Sequence, residues 1–278
     1  MNTWIQIRRL AVMVLAVGLL VTGCTLGPIE TRDDHFTVEG SVQLVVDSEN
    51  GSIDVKVGSD DEVRVQATLR GADRIEYEVR QEGDTITVTS RKTRRVLFGF
   101  GPGTDLVITV PINTVVDLNT SNGRIELRGI HGSGSLNTSN GRIVLEDVIG
   151  DFEGDTSNGA ITIDTMEGSA RLRTSNGKVD VRDVIGEFEL ESSNGGISFI
   201  GELLPGTRNR LETSNGRVEV ELLGVPSVTL DASTSHGDVN TELPILITII
   251  RDKELKGTIG DGEADLRIRT SNGDVTIR

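Results

Sequence analysis

The 278-residue chain has one cysteine, six prolines, three histidines and only 3% aromatic residues. A single cysteine excludes an intrachain disulfide, so stability has to come from backbone pairing and burial. Six prolines against 33 glycines exclude a collagen-like chain or a proline-rich linker. With so few aromatics the core must be Ile, Val and Leu, residues that suit a pleated surface. Helical periodicity is absent beyond the N-terminus. His35, His131 and His236 are scattered, and no motif supplies a nucleophile with its base, a metal cluster or a phosphate loop. No catalytic residue, metal or cofactor is therefore expected.

Repetition is what the chain has instead. "TSNGRIEL" at 120–127 returns as "TSNGRIVL" at 138–145, "TSNGAITI" at 156–163, "TSNGKVDV" at 174–181 and "SSNGGISF" at 192–199. Asn122, Asn140, Asn158, Asn176 and Asn194 fall 18 residues apart, and two steps of 21 lead to Asn215 and then to His236 in "TSHG". From His236 to Asn272 is 36 residues, two steps of 18 with one copy blurred. Asn50, in "SENGSIDV", lies 72 residues before Asn122, again a multiple of 18. A short fixed period over half a chain signals a repeat architecture.

Within each repeat, Ile125, Ile143, Ile161 and Val179, then Leu127, Leu145, Ile163 and Val181, alternate with polar residues, the period of a half-buried strand. A second strand carries Gly134, Phe152, Ala170 and Phe188 in one column and Leu136, Gly154, Leu172 and Leu190 in another. The opposed order of large residue and glycine suggests volume compensation in one core layer. The expected fold is thus all-β: a β-solenoid with about 18 residues and two short strands per coil, running over 111–278 as roughly nine coils and about 40 Å of stack. Residues 36–110 read as an irregular β-rich section covering the N-terminal end.

Stacking gives each letter of "TSNG" a structural task. Asn122, Asn140, Asn158, Asn176, Asn194, Asn215 and Asn272 can form an amide ladder. Ser and Thr can bond to corner backbone groups, and the glycine would supply a positive φ. "ILITII" at 245–250 is the most aggregation-prone window, with Pro244, Arg251, Asp252 and Lys253 as gatekeepers. The last repeat, ending "TSNGDVTIR", is expected to be an exposed edge.

The N-terminus is a separate matter. Arg8 and Arg9 precede the apolar run Leu10–Val21, which is short for a membrane span and reads as a secretory signal over 1–23. Val21-Thr22-Gly23-Cys24 resembles a bacterial lipobox, which implies cleavage before Cys24 and a lipid on its sulfur. Residues 24–35 would then be lipidated cysteine and tether, with the membrane as partner through the anchor. Loss of Arg8 and Arg9 takes the formal charge from −15 to −17. So acidic a body is repelled by nucleic acid and by anionic lipid heads, and no nucleic-acid partner is expected.

Two local features invite function. Arg91, Lys92, Arg94 and Arg95 stand beside Phe98 and Phe100, a possible contact for an anionic polymer or partner. Asp147 and Asp183 share a column two coils apart, about 9.6 Å, within the range for a pair of hydrolytic carboxylates, although Thr165 lies between them.

"GSVQLVVDSENGSIDV", "GDTITVTS", "DLVITVP", the repeated "TSNG" strands and "GEADLRIRTSNGDVTIR" together resemble the bacterial β-strand-repeat family named "putative adhesin", a domain of unknown function. The resemblance covers the mature chain. It implies an extracytoplasmic β-solenoid in the cell envelope, with adhesion or binding to an envelope polymer as leading role. The association of some relatives with envelope-stress systems implies an accessory protein-binding role as a second reading, and a polysaccharide-active enzyme is the third. No catalytic residue carries over from the family.

Overall fold

A computed structural model describes residues 27–93, 101–251 and 253–278. Apart from one 3₁₀ turn at Ala72–Arg74, its regular elements are strands. In chain order they are β1 (Ile29–Thr37), β2 (Val42–Ser48), β3 (Ile53–Val57), β4 (Glu62–Arg70), β5 (Ile75–Glu82), β6 (Thr85–Lys92), β7 (Gly103–Val110), β8 (Thr114–Thr120), β9 (Ile125–Arg128) and β10 (His131–Thr138). Three long strands follow: β11 (Ile143–Thr156), β12 (Ile161–Thr174) and β13 (Val179–Ser192). The rest are β14 (Ile197–Leu203), β15 (Arg208–Thr213), β16 (Val218–Leu222), β17 (Val228–Thr234), β18 (Val239–Thr241), β19 (Leu246–Arg251), β20 (Glu254–Ile259), β21 (Ala264–Thr270) and β22 (Val275–Ile277).

The long strands define the coil. Ile143 lies opposite Ile161, and Ile161 opposite Val179, in parallel register 18 residues apart. Each long strand bends once, so its first half belongs to one sheet and its second half to the facing sheet. The row Gly134, Phe152, Ala170, Phe188 is in register across β10 to β13 and alternates small with large. Phe188 reaches across to Phe199 on β14, with ring centroids 5.3 Å apart and planes at 59°. Aliphatic residues on both inner faces are almost fully buried, and burial of this kind is the main stabilising term.

The two corners work differently. At the "TSNG" corner a buried threonine bridges adjacent coils. Thr156 Oγ1 donates to the Gly141 carbonyl at 2.9 Å and accepts from the Gly159 N–H at 3.2 Å. Thr138, Thr174, Ser192 and Thr270 donate in the same way. The corner glycines do not supply the expected positive φ, except at Gly51 (φ 116°). They are required by close approach: a Cβ on Gly123, Gly141, Gly159, Gly177 or Gly195 would sit 1.6–1.8 Å from the carbonyl oxygen of the glycine one layer away. Left-handed backbone occurs instead at the opposite corner, where Gly129 (φ 73°), Asp147 (55°), Thr165 (65°) and Asp183 (51°) share a column. The 21-residue steps are accommodated by turns at 204–207 and 223–227, where Gly206 and Gly224 also have positive φ.

The order of layers is not the order of the chain. At one end β2 and β3 pair with β8 and β9 on one side and with β6 and β7 on the other. At the other end β21 and β22 lie between β15/β16 and β17/β18. The final "TSNG" copy is therefore an internal layer and not the exposed edge its position suggested. The 36-residue gap after His236 holds no blurred coil; it holds the antiparallel hairpin β19–β20, which covers β17.

Antiparallel strands finish the N-terminal end too. The strand β5 pairs with β6, while β4 pairs with β7 and β1 with β4. Residues 29–35, expected as tether, are thus part of β1, because Phe36 and its neighbours have the aliphatic face of β4 to cover.

Candidate binding surface

The asparagine ladder is continuous. Asn122 Nδ2 donates to Asn50 Oδ1 at 2.6 Å, and the same bond joins Asn140 to Asn122, Asn158 to Asn140, Asn176 to Asn158 and Asn194 to Asn176 at 2.7–2.8 Å. It continues from Asn215 to Asn194 at 2.9 Å and directly from Asn272 to Asn215 at 2.8 Å. Asn50 ends the row by donating to the Pro102 carbonyl at 3.1 Å, and His236 Nδ1 lies 3.4 Å from the Ser271 carbonyl at the other end. Interior amides also lie within 3.2–3.5 Å of a serine carbonyl one layer back. Most of their hydrogen-bonding capacity is spent within the stack, so the amides themselves form a structural seam.

The other sequence candidates separate in space. Arg91 pairs with Asp47 at 2.8 Å and Lys92 with Glu49 at 3.8 Å. The hydrogen bond from Arg91 to Asp47 holds the guanidinium more firmly protonated than usual. Arg94, Arg95, Phe98 and Phe100 lie outside the described residues, as does Cys24. His35 lies beside Glu62 and 3.3 Å from Asp33, His131 stands at the left-handed corner and His236 at the end of the ladder. The three histidines form no common site. Asp147 and Asp183 share the left-handed corner with Gly129 and Thr165, a backbone conformation that aspartate tolerates. Among the described residues no group of His, Cys, Asp and Glu is placed to hold a metal ion, and no helix is long and apolar enough to cross a membrane.

The feature with chemistry to offer is the outer face of the sheet that contains β8, β10, the second halves of β11 to β13, β15, β21 and β17. Parity places polar side chains outward there, and the 18-residue period lays them in rows about 4.8 Å apart. Glu153 and Arg171 pair at 3.2 Å, Arg171 and Glu189 at 2.6 Å, Glu189 and Arg173 at 3.3 Å, and Arg173 and Glu191 at 3.2 Å. Arg210 extends the lattice to Glu191 at 3.9 Å and Glu212 at 2.6 Å, and Arg267 meets Glu212 at 3.6 Å. Exposed pairs like these contribute little stability; what they do is hold guanidinium and carboxylate groups in fixed, alternating positions.

Toward the N-terminal end the same face changes character. Asp117, Asp151, Glu153 and Asp155 are interspersed with Ser133, Ser135, Asn119 and Asn137. Burial pushes the Asp155 carboxyl up, neighbouring Glu153 and Glu191 push it the same way, and Arg173 opposes them. The Arg171 hydrogen bond, by contrast, holds Glu189 below the usual carboxylate range. Two adjoining grooves share Arg210: one of about 960 Å³ follows the serines and threonines of the "TSNG" corners beside Asp155, Arg173 and Glu191, and one of about 1120 Å³ lies over Asp151, Glu153, Arg171 and Glu189. The lattice was visible in the sequence as opposite charges at 18-residue spacing, Glu153–Arg171–Glu189, a signal not used above.

Such a stack defines a class: an elongated all-β solenoid with one long, chemically varied face. Within that class the chain belongs to the Toastrack DUF4097 family, which matches residues 42–278. A solved structure from Bacteroides fragilis, named "putative adhesin", is similar with a TM-score of 0.50 at 11% identity, covering 90% of this chain and 97% of that one. At that identity the likeness is one of fold. Two structures from Parabacteroides distasonis are also similar, each over 90% of this chain and 97% of the other: a "putative adhesin" (TM-score 0.44, 10% identity) and a "putative lipid binding protein" (TM-score 0.35, 13% identity). No curated protein matches the chain.

Proposed function

We propose that this chain is a lipid-anchored, extracytoplasmic binding protein that acts by adhesion to an envelope or surface polymer and performs no catalysis. The observation that carries the reading is the lattice from Glu153 to Arg267. Charged and hydrogen-bonding groups fixed at a constant step suit a ligand that is itself a repeating polymer, since each added unit meets another row and weak contacts sum. The name of the Bacteroides fragilis relative agrees with this role. The anchor fits as well: Gly27 packs against Gly71, Asp73 and Arg74 at the N-terminal end, three residues after Cys24. Held there, the solenoid stands on end, its acidic body repelled by anionic lipid and its face turned to the surroundings.

The test mixes residues 25–278, without lipid, with fractionated envelope from the source cell, and measures both depletion of the protein and release of soluble sugar. Saturable, salt-sensitive depletion into a polymer fraction with no released product is expected, weakened at least tenfold when Arg171, Arg173 and Arg210 are all changed to Gln. Sugar release would overturn the non-enzymatic reading. Saturable capture by one envelope protein, with none by polymer, would replace the ligand by a protein partner.

A further inference from the structure

Four strands end the two sheets: β1 and β5 at the N-terminal end, β18 and β19 at the other. Each pairs with one neighbour only among the described residues. Three of the four are poor templates for another strand. Along β1 run Glu30, Arg32, Asp33 and Asp34, along β5 run Glu76, Glu78, Arg80 and Glu82, and β18 is only three residues long. Charge and shortness are how natural sheets block strand addition at an edge. The strand β19 has six residues and a single charge, Arg251 at its end, and the gatekeepers flank it without interrupting it: Leu246 is 78% exposed, Ile250 70% and Ile247 47%. Opposite β20, Ile250 and Ile247 align with Leu255 and Gly257, while Leu246 aligns with Thr258. Aliphatic side chains therefore stand exposed on both faces of the strand, and among the described residues no strand pairs with its second row of backbone groups.

We propose that β19 is a docking edge for a second copy of this chain, the two copies joining tail to tail by antiparallel pairing of their β19 strands. The chain's own remaining segments do not reach it. Thr93 and Gly101 follow β6 and precede β7, and β6 is eleven strand spacings from β19, about 50 Å, whereas the seven residues that join Thr93 to Gly101 span at most about 25 Å fully extended. Residues 24–26, which precede Gly27 if the lipobox is cleaved, leave from the same far end.

Identical β19 strands related by a two-fold axis match each other once the bulge at Thr248 is passed over: Ile249 falls opposite Ile249 of the other copy and Ile247 opposite Ile250, with Leu246 against the stem of Arg251. A head-to-tail contact would instead set these residues against the carboxylates of β1 or β5 and strip those of water. The isologous pair closes on itself and stops at two. Charge opposes this joint only weakly. The tip segment 246–259 carries Arg251, Lys253 and Lys256 against Asp252 and Glu254, a net of +1 in a chain of −15. Meeting at the tips leaves the acidic bodies on opposite sides, mostly beyond the ~8 Å screening length of physiological salt.

Residues 25–278 keep every described strand and contain no cysteine, which makes a clean test possible. Sedimentation equilibrium is expected to show a monomer–dimer equilibrium. Replacing Leu246 and Ile250 with Lys, both at exposed positions, should weaken dimerisation at least tenfold with an unchanged circular dichroism spectrum. Ile249→Cys, the residue opposite its own copy, should give a covalent dimer on mild oxidation, and Arg80→Cys on β5 should not. A monomer at all concentrations, a dimer indifferent to the lysines, or open-ended growth that Arg80→Cys traps would each overturn the proposal.

Discussion

The two ends of the solenoid solve one problem alike and another differently. Both place a coil from a terminal stretch of chain one layer inside the stack: β2/β3 beneath β6/β7, and β21/β22 beneath β17/β18. A layer paired on both sides cannot fray as a terminal strand does. The ends part company over their outermost edges. At the N-terminal end both sheets gain antiparallel strands, and the charges of β1 turn partly inward. Tyr77 donates to Asp34 there at 3.2 Å; burial and then the Asp34 charge push its hydroxyl pKa well above the ordinary value. At the other end one hairpin covers one sheet and leaves aliphatics in water. Locking a layer in place and shielding an edge are separate tasks, and only the first is met equally at both ends.

Deletion should break the comparison most forcefully. Removing 264–278 takes Leu266, Ile268, Val275 and Ile277, each at most 1% exposed, from an internal layer. At about 1.5–3 kcal/mol for each side chain, this approaches the net stability of a whole domain, and hydrogen exchange should show the layers beyond β15 and β16 unprotected. Removing 27–37 strips only an outer strand and should lower the melting temperature without loss of protection in β8 to β16. Equal damage from both would refute the difference between inner and outer layers.

Glycine substitutions probe the layers more finely. At Gly51 a Cβ would sit 2.0 Å from the Thr104 carbonyl oxygen, φ is 116°, and Gly123 packs on its other side; at Gly237 the nearest atom, the Gly273 carbonyl oxygen, is 2.2 Å away and φ is ordinary. Gly51→Ala should therefore cost about 3 kcal/mol or more and Gly237→Ala about 1–3, read from denaturant midpoints. Between the ends, Thr165→Gly should stabilise by about 0.5–1 kcal/mol, because a β-branched residue in left-handed backbone is costly. Asp147→Gly, at a residue that tolerates this conformation, should be nearly neutral.

Acid should act on both ends in the same direction and with the smallest effect. The hydrogen bond from Arg64 holds Asp33 below its ordinary pKa. Burial raises that of Asp231, but Arg269 and Lys256 outweigh it and leave the carboxyl lowered. A carboxyl lowered in the folded state stabilises above its unfolded pKa and loses that contribution as pH falls through the folded value. Arg64→Gln and Arg269→Gln should each be slightly less stable than the parent at pH 7, and the gap should close as acid protonates these groups. A gap that widened on acidification would show that the sign is wrong.

Much of the coil could be read from letters alone. Ile143, Ile161 and Val179 announced their strand by alternation, and the 18-residue step gave the register. The stacking order could not be read, because Asn215, His236 and Asn272 stand in near-identical contexts and nothing local says which lies on which. That is decided by the hairpin β19–β20, which needs β17 at the edge as a partner. The corner glycines misled because glycine serves both unusual φ and close approach, and composition does not separate the two. The left-handed corner did leave a trace, since Gly129 shares its column with two aspartates. Of the binding surface, the charge lattice was legible in principle; the grooves over it depend on how two sheets pack and were not.

The buried position of β21 and β22 sets a timetable for synthesis. Residues 264–278 are made after 227–259 yet lie beneath them, so a chain emerging N-terminus first cannot lay down its layers in order. The outermost coil and its hairpin must stay loose, or lift away, until β21 and β22 arrive.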